Sequence, residues 1–362
     1  MSFAPEPPHL HDRAERTAVL LINLGSPAAP TAAALRRYLA EFLSDPRVVE
    51  IPRPLWWLLL HGLLLRVRPA QSAAKYAAIW TPDGSPLLTW SARQAKRLQG
   101  NLGQRGHQLL VRHAMRYGAP SIGSALDALK AEGATRILVL PLYPQYAAAT
   151  TASAFDAVAA WARRIRRLPE LRFVNHYHDD PGYIDALADS VREHWRREGR
   201  ADKLVMSFHG LPARTLALGD PYHCECQVTA RLLAERLQLQ AQDYIVSFQS
   251  RLGRARWLQP YTEPTLKRLA AEGVRTVDAI CPGFAADNLE TLEEIGIEGK
   301  AAFLGAGGKE FRLVPCLNDR DPWMRALTEL SLQHLQGWPT QVPDPALLDE
   351  QARRAVAAGA PR

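Results

Sequence analysis

Residues 125–133 of the chain are ALDALKAEG and residues 265–273 are TLKRLAAEG, so that five of nine positions coincide at an offset of 140 residues. Apolar positions recur at helical spacing in both copies. Each copy then leads into an apolar run that ends in proline, at Pro141 and at Pro282. A helix followed by a buried strand is the unit of an alternating α/β fold. The repeat therefore predicts two similar α/β halves.

A second pair of similar segments lies further apart. LLINLGSP begins at Leu20 and LVMSFHGLP begins at Leu204, and their prolines are 185 residues apart. Because this offset exceeds the first by 45 residues, we expect an insertion of that size in the first half. Residues 50–80 have the least α/β character, and they contain the apolar run LWWLLLHGLLL, which begins at Leu55 and ends at Leu65.

Eight apolar runs have the length and composition of strands, and segments with helical periodicity separate them. The predicted strands are residues 18–23, 108–112, 137–142, 171–175, 203–208, 244–249, 274–281 and 301–304. Such alternation predicts parallel sheets with helices on both faces, and ligand sites beyond the carboxyl ends of the strands. We expect a flexible N-terminus at 1–17, domains at 18–165 and 166–318, an insertion at about 50–80, and a C-terminal helix and tail at 319–362.

Composition bounds the class of protein. The 362 residues are enough for two domains, and 47% hydrophobic with 22% charged residues is typical of a globular protein. The net charge of +7 favours anionic ligands such as phosphates, carboxylates or acidic lipid headgroups, without the basic density of a nucleic-acid binder. Four cysteines exclude a disulfide scaffold and favour a reducing compartment.

Targeting features are expected to be absent from the N-terminus. The first seventeen residues have neither the basic start nor the apolar run of a secretory signal, which favours a cytoplasmic location. The run from Leu55 to Leu65 is shorter than the roughly 20 residues that cross a bilayer. It is either a core helix or an apolar surface for a membrane or a hydrophobic ligand.

Several short motifs have the residue types of metal or phosphate sites. Residues 223–226 are HCEC, but Cys281 and Cys316 are isolated, so a four-ligand cluster is not favoured over packing. His176 and His178 share one side of a strand end, where a metal site competes with an ordinary loop. GAGGKE at 305–310 lacks the spacing of a phosphate-binding loop and predicts a glycine turn after a strand.

His209 follows the apolar strand 203–208 at a glycine turn. Parallel sheets present reactive groups at this position, and histidine exchanges protons near neutral pH. The alternative is a strand-end histidine that bonds only to the backbone.

Asp287, Glu290 and Glu294 follow the strand 274–281 at spacing i, i+3 and i+7, which places them on one helical face. Asp287 and Glu290 also have the spacing of a capping box. An acidic row at a strand end is suited to guiding a divalent cation or taking up protons, and the pattern alone leaves capping and this role open.

Aromatic and arginine side chains follow other strands. Arg116 and Tyr117 lie in AMRYGAP, Tyr143 and Tyr146 in LYPQYAAATT, and Trp257 in RARWLQPYT. These groups suit a flat, aromatic, acid-bearing ligand, or equally core packing with a surface cation.

The motifs INLGSP, YPQYAAATT, SFHGLP with GDPY, FQSRLGRARWLQPYT, CPGFAADNLETLEEI and FLGAGGK stand in the order found in ferrochelatases. The chain resembles this family from about Ala18 to Asn318. The resemblance implies two Rossmann-like domains with a porphyrin cleft between them. It also implies a lyase of haem biosynthesis, which inserts Fe²⁺ into protoporphyrin IX to give protohaem and releases two pyrrole protons.

The resemblance also implies residue roles. His209 matches the family's active-site histidine, implied to be a proton acceptor, a metal ligand or both. Glu290 matches the family's glutamate opposite that histidine, which the resemblance implies is a catalytic residue and a metal ligand. Asp287 and Glu294 extend it as a relay for metal or protons. The implied porphyrin contacts are Arg116, Tyr117, Tyr146, Trp257 and Phe284. Asn288 stands where relatives often have His or Cys, so no metal-delivery role is carried over to it.

The remaining expectations concern partners and rivals. The run from Leu55 to Leu65 corresponds to the family's apolar lip, which is thought to meet the membrane. No iron–sulfur cluster is expected, because the cysteine-bearing C-terminal extension of cluster-containing members is missing. We expect a monomer or homodimer that binds no nucleic acid. Coproporphyrin as substrate, a chelatase for another metal or tetrapyrrole, and a porphyrin carrier remain alternatives.

Overall fold

The protein is described here by a computed structural model that covers residues 3–7, 10–251, 253 and 255–360. Two four-stranded parallel sheets form its framework, with strand orders β2-β1-β3-β4 and β6-β5-β7-β8. The strands are β1 (Arg16–Gly25), β2 (Leu110–Tyr117), β3 (Ala134–Pro141), β4 (Glu170–Phe173), β5 (Lys203–His209), β6 (Tyr244–Gln249), β7 (Thr276–Ile280) and β8 (Glu310–Leu313). The two orders are the same, which confirms the predicted pair of similar α/β halves.

Helices cover both sheets, and three segments are π-helical. The first half has α1 (Ala32–Leu43), α2 (Arg53–Leu59), π1 (Leu60–Leu64), α3 (Leu65–Ile79), α4 (Pro86–Gln104), α5 (Ile122–Ala131), π2 (Ala148–Ala152) and α6 (Ser153–Ala162). The remaining helices are α7 (Pro181–Glu198), α8 (Ala213–Ala217), α9 (Tyr222–Leu237), α10 (Thr262–Ala271), π3 (Glu290–Gly299), α11 (Lys300–Gly305), α12 (Asp321–His334) and α13 (Pro345–Ala357).

The repeated segment forms α5 and β3 in the first half, and α10 and β7 in the second half. Both helices are followed by a glycine in the left-handed region, Gly133 at φ 92° and Gly273 at φ 90°. A residue at this position must leave the right-handed helix to end it, and glycine does so without a Cβ penalty. The chain can then turn into the neighbouring strand.

The strand predicted at 301–304 is wrong, because these residues lie in α11. Two alanines favour a helix, and α11 continues directly from π3, so that Phe303 is buried on the helix side of the second sheet. The last strand is β8, at Glu310–Leu313. The glycines of 305–310 therefore connect a helix to a strand, rather than following a strand as predicted.

The insertion consists of α2, π1 and α3, which follow one another without a break. One side of it is anchored, since Trp56 and Leu60 are buried against α1 and the Trp56 indole donates to Leu43 O at 2.6 Å. On the other side, Leu55 and Leu58 are each 63% exposed. Within the described residues, no helix is long and apolar enough to cross a membrane.

The predicted domain boundary after residue 165 needs correction. It falls before β4, yet β4 pairs with β3 and belongs to the first sheet. At the other end of the chain, α12 packs on α4 of the first half as well as on α7. One buried cluster also runs through both sheets, and it includes Leu21, Leu140, Met206, Phe248 and Trp323. The halves therefore share a core.

The N-terminal residues make specific contacts that the prediction of a flexible 1–17 segment does not include. Glu6 accepts hydrogen bonds from Lys130 Nζ at 2.8 Å and from the backbone of Arg166 and Arg167 at 2.5 and 2.7 Å. Residues 1, 2, 8 and 9 of that predicted segment, and 361 and 362 of the predicted tail, lie outside the described residues.

Candidate active site

His209 is the last residue of β5, at the carboxyl end of the second sheet. Its Nδ1 lies 2.6 Å from Gly210 O. Because a carbonyl oxygen only accepts, Nδ1 carries the ring proton in the neutral form and Nε2 keeps its lone pair. A Cβ on Gly210 would lie 2.6 Å from Gln249 O and 3.2 Å from the Trp257 ring. The glycine therefore lets Trp257 pack beside the histidine.

Glu290 begins π3 and is an electrostatic neighbour of His209, although the two residues come from different elements. Burial raises the pKa of Glu290 above its ordinary value. A positive charge on His209 opposes this rise, and the carboxylates of Glu294 and Glu293 add to it. A carboxyl group with a raised pKa beside a histidine is an arrangement suited to proton exchange.

Asn288, and not Asp287, caps this helix. Asn288 Oδ1 accepts from the Thr291 backbone at 3.1 Å, and the Asn288 backbone donates to Thr291 Oγ1 at 3.0 Å. The capping box predicted for Asp287 and Glu290 is therefore wrong by one residue. Asn288 and Thr291 satisfy the helix start, so the Glu290 side chain is not used as a cap.

Asp287 does not share the helical face predicted for it, because it precedes the helix. Its carboxylate is buried and accepts from the Cys316 backbone at 3.1 Å, Asn318 Nδ2 at 2.7 Å and Thr291 Oγ1 at 3.2 Å. The residue thus holds the loop after β7 to the segment after β8. This contact set positions π3, and the relay role of Asp287 stays a prediction.

Glu294 lies one turn beyond Glu290 and is held by the end of β6. It accepts from the Ser250 backbone at 2.6 Å, Ser250 Oγ at 2.5 Å and Gln249 Nε2 at 3.2 Å. Gln249 Nε2 also donates to Glu290 O at 2.7 Å. Gln249 and Ser250 were not singled out from the sequence, although their place directly after a strand was the available signal.

The first half contributes Tyr38 from α1 and Tyr76 from α3. Burial raises the pKa of both phenols, and the charge of Glu290 raises them further. Lys75, next to Tyr76, bonds Glu293 at 3.0 Å and Glu298 at 2.7 Å. The insertion is therefore tied to the acidic helix. No motif marks these residues, because their partners lie more than 200 positions away.

Arg116 and Tyr117 surround the buried carboxylate of Asp45. Asp45 Oδ2 lies 2.5 Å from Arg116 and 2.8 Å from the Tyr117 hydroxyl, and it accepts from Ser153 Oγ at 2.5 Å. Tyr117 is completely buried, which contradicts the predicted direct porphyrin contact for this residue. The side chain of Arg116 is 18% exposed.

The other three predicted porphyrin residues are half-buried at strand ends. Tyr146 follows β3, Trp257 pairs with Pro212 as an isolated bridge, and Phe284 follows β7. The Trp257 indole N–H is buried and has no hydrogen-bond partner among the described residues. Contact between these three residues and a porphyrin stays a prediction.

The cysteines do not share one environment. Cys226, Cys281 and Cys316 are buried as small core residues, whereas Cys224 is exposed. Three of the four cysteines are therefore core-packing residues, as the sequence predicts. The expectation that no iron–sulfur cluster is bound stays a prediction.

Sequence comparison identifies relatives along almost the whole chain. Residues 16–335 match the sequence model of the Ferrochelatase family. Proteins named ferrochelatase from Methylibium petroleiphilum and Polaromonas sp. are 67% identical over 361 residues and 64% identical over 367 residues. The first alignment covers 99% of both proteins, and the second covers 100% of both.

Solved structures share the fold at low sequence identity. SirB from Bacillus subtilis with Fe3+ gives a TM-score of 0.51 at 15% identity, covering 89% of this chain and 96% of that one. The sirohydrochlorin chelatase SirB from Bacillus subtilis subspecies spizizenii in complex with cobalt gives 0.50 at 14%, covering 91% and 100%. These similarities support the two-half chelatase-like fold.

Proposed function

Because this chain belongs to the ferrochelatase family, we propose that it inserts Fe²⁺ into protoporphyrin IX to give protohaem, with release of the two pyrrole protons. Such a reaction is that of a lyase. The observation that carries the residue assignment is the electrostatic proximity of His209, at the end of β5, to the half-buried Glu290 at the start of π3.

In this proposal His209 is the first proton acceptor. The Nδ1–H···O bond to Gly210 fixes the ring and leaves Nε2 to take a pyrrole proton. Gly210 O continues to accept from the imidazolium, which is a charge-assisted and therefore stronger hydrogen bond. Histidine suits the step because it gains and loses a proton near neutral pH.

Glu290 completes the pair. Its carboxylate takes the second proton, and the raised pKa makes it a better proton acceptor than an exposed glutamate. When ionised, Glu290 and the neutral imidazole also offer one oxygen and one nitrogen ligand to the entering Fe²⁺. Glu294, held by Ser250, continues the acidic path away from His209.

The porphyrin would lie between the two halves, against Tyr146, Trp257 and Phe284, with Arg116 near its propionates. Asp45 and Tyr117 support Arg116 from beneath. The exposed side of α2 and π1 meets the inner face of the membrane, which dissolves the hydrophobic porphyrin, while the protein itself is cytoplasmic. The exposed Leu55 and Leu58 support this contact.

Anaerobic incubation with protoporphyrin IX and Fe²⁺ tests the activity, followed as loss of free-porphyrin absorbance. Wild-type protein is expected to form haem well above the buffer rate. His209→Ala and Glu290→Ala are each expected to lower kcat at least 100-fold, about the contribution of a general acid–base group. Both variants are expected to keep porphyrin binding, measured by fluorescence quenching.

Two matched variants serve as controls. His107→Ala removes a histidine near the amino end of β2, and Glu298→Gln removes an exposed charge on π3 itself. Both should retain wild-type kcat. A buffer-level rate in the wild type would refute the activity. Wild-type rates in the His209 and Glu290 variants would refute the site, and a preference for coproporphyrin III or for Co²⁺ with a corrin precursor would favour those rivals.

A further inference from the structure

We propose that His176, His178 and Glu225 bind a divalent transition-metal ion of the Zn²⁺ type, separate from the Fe²⁺ that the enzyme inserts. The proposal goes beyond the chelatase activity and does not depend on it. His176 and His178 follow β4 of the first sheet, and Glu225 lies in the first turn of α9 beside the second sheet. The sequence offered the two halves of this cluster as separate, incomplete motifs.

The three side chains converge on one point. Each offers a ligand atom, and these atoms lie within 4.8 Å of one another. His176 Nδ1 lies 2.6 Å from Glu225 Oε1, and His178 Nδ1 lies 3.4 Å from Glu225 Oε2. Ligands of one Zn²⁺ ion are about 3.4 Å apart, given bonds of about 2.1 Å in a tetrahedron. His176 Nδ1 must therefore move away from Glu225 Oε1 to bind the ion, and the half-exposed His176 side chain has room to do so.

A second observation points to a ligand at this place. His178 is 9% exposed, and its Nδ1 is buried without a hydrogen-bond partner in the part of the chain that the structure describes. A buried polar atom ordinarily has a partner. Because this nitrogen faces Glu225, a metal ion held by both residues would satisfy it.

The donor set selects the class of ion. Two imidazole nitrogens and one carboxylate are ligands for Zn²⁺ and its transition-metal neighbours, whereas Mg²⁺ and Ca²⁺ prefer oxygen ligands only. His178 and Glu225 are buried, and His176 is exposed. The remaining coordination positions therefore open towards water.

The ligands are supported by further hydrogen bonds, as is typical of metal sites. Thr229, one turn beyond Glu225 on α9, donates to His178 O at 2.8 Å, and Gln145 Nε2 donates to Thr229 Oγ1 at 2.9 Å. The Tyr146 backbone donates to Glu225 Oε2 at 2.6 Å. The ion would thus join the loop after β4, the start of α9 and the segment after β3 across the two halves.

The test measures Zn²⁺ binding by equilibrium dialysis in the full chain carrying His209→Ala and Glu290→Gln, which removes the substrate-metal pair. One Zn²⁺ per chain is expected, together with a Zn²⁺-dependent rise in Tm, because an ion that binds only the folded state stabilises it. Adding His176→Ala should weaken binding at least tenfold and abolish the rise in Tm. Adding His107→Ala should change neither, and Mg²⁺ should not compete.

The exposed position of His176 keeps this variant foldable, which circular dichroism checks. Stoichiometric binding that is lost with His176→Ala, and again with His178→Ala, supports the site. Absence of Zn²⁺ binding in the starting variant, or equal affinity after both histidine substitutions, overturns it. Because porphyrin is absent from the assay, failure of the proposed chelatase activity would not alter either result.

Discussion

At the scale of single residues, Asp45 illustrates a buried charge that its neighbours keep ionised. Burial raises the pKa of its carboxyl group, but hydrogen bonds from Ser153, the Arg47 backbone and Tyr117, with the charge of Arg116, outweigh burial and lower the pKa overall. A depressed pKa in the folded state adds stability at pH values above the ordinary pKa. That stability is lost as the pH falls through the folded-state pKa.

Asp45→Asn should therefore lower the free energy of unfolding by about 3 kcal/mol at pH 7, because Arg116 keeps its charge in a site that has lost its counter-charge. The difference between variant and wild type should shrink below about pH 4, where Asp45 of the unfolded chain becomes protonated. Urea unfolding at pH 7 and pH 3 measures both values. Asp156→Asn, in an exposed pair with Arg47, is the control and should cost no more than about 0.5 kcal/mol.

The sequence predicts the place in the fold of those candidate residues whose surroundings are local. His209 could be predicted because a strand and a glycine turn adjoin it, and Glu290 because its helix follows β7. The electrostatic interaction of Tyr38 and Tyr76 with Glu290 could not be predicted, because it depends on how the two halves pack. Asp287 was misplaced by one residue, because the cap is decided by where the loop after β7 meets Asn318.

At the scale of elements, the hydrogen bonds at the start of π3 orient the acidic side chains of that helix, Glu290 and Glu294. Asn288 and Thr291 bond reciprocally, and Asp287 fixes the preceding loop. The i to i+5 hydrogen bonding of a π-helix widens its turns, and such segments often occur at functional sites. The position of Glu290 therefore depends on the neutral side chains of Asn288 and Thr291 and on the buried carboxylate of Asp287.

Asn288→Ala should destabilise the protein by about 1 kcal/mol through loss of the cap. It should also lower the rate of porphyrin metallation, because Glu290 begins the helix that loses its cap. Thermal unfolding and the anaerobic assay measure the two effects. Asn288→Ser, which retains a capping oxygen, should restore most of both. Equal behaviour of the alanine and serine variants would contradict the capping argument.

The insertion is an element with two different sides. Its anchored side belongs to the fold, and its exposed leucines and Trp57 form the surface assigned to the membrane in the proposed function. Its existence was predictable from the unequal offsets of the repeats. The division between the sides was not, because nearly every residue of the run is apolar.

Leu58→Glu should weaken binding to anionic phospholipid vesicles about tenfold, since burial of one leucine side chain contributes about 1.5–3 kcal/mol. Flotation with vesicles measures the bound fraction. Leu347→Glu is the matched control, because Leu347 lies on α13, outside the insertion in the chain, and is 59% exposed against 63% for Leu58. Equal losses in the two variants would indicate that this surface does not meet the membrane.

At the scale of the whole molecule, the halves resemble one another but are not independent. Gln94, buried in α4, donates to Ala285 O at 3.0 Å and to Asn318 O at 2.6 Å, and so ties the first half to both loops that hold Asp287. Trp323 of α12 packs on Tyr177 and lies in the cluster common to both sheets.

Trp323→Ala should lower the free energy of unfolding by about 3–5 kcal/mol, as expected for removing a fully buried aromatic side chain. Because the core is shared, calorimetry should still show one transition for the whole chain. Trp57→Ala, which removes a 60% exposed ring, should leave the transition almost unchanged. Two separate transitions in wild type or variant would contradict the shared core.

The internal repeat and the alternation of strands and helices together predicted the two-half architecture, because each repeat unit is short and its hydrophobic pattern is local. The packing of α12 on both halves could not be predicted from the sequence. An amphipathic pattern shows that one face of a helix is buried, but it does not show which element packs on that face. The misplaced boundary at 165 has the same cause, because β4 is a four-residue strand whose partner is decided by the sheet.

The position of α12 has a consequence for synthesis on the ribosome. Residues 321–334 are made after all the strands of both sheets, yet α12 packs on α4 and on the core that β1 and β3 share with the second sheet. The first half therefore emerges with part of its apolar surface uncovered and stays so while more than 150 further residues are translated. Such nascent chains are prone to aggregation, so this protein is expected to reach its native core only after α12 has left the ribosome.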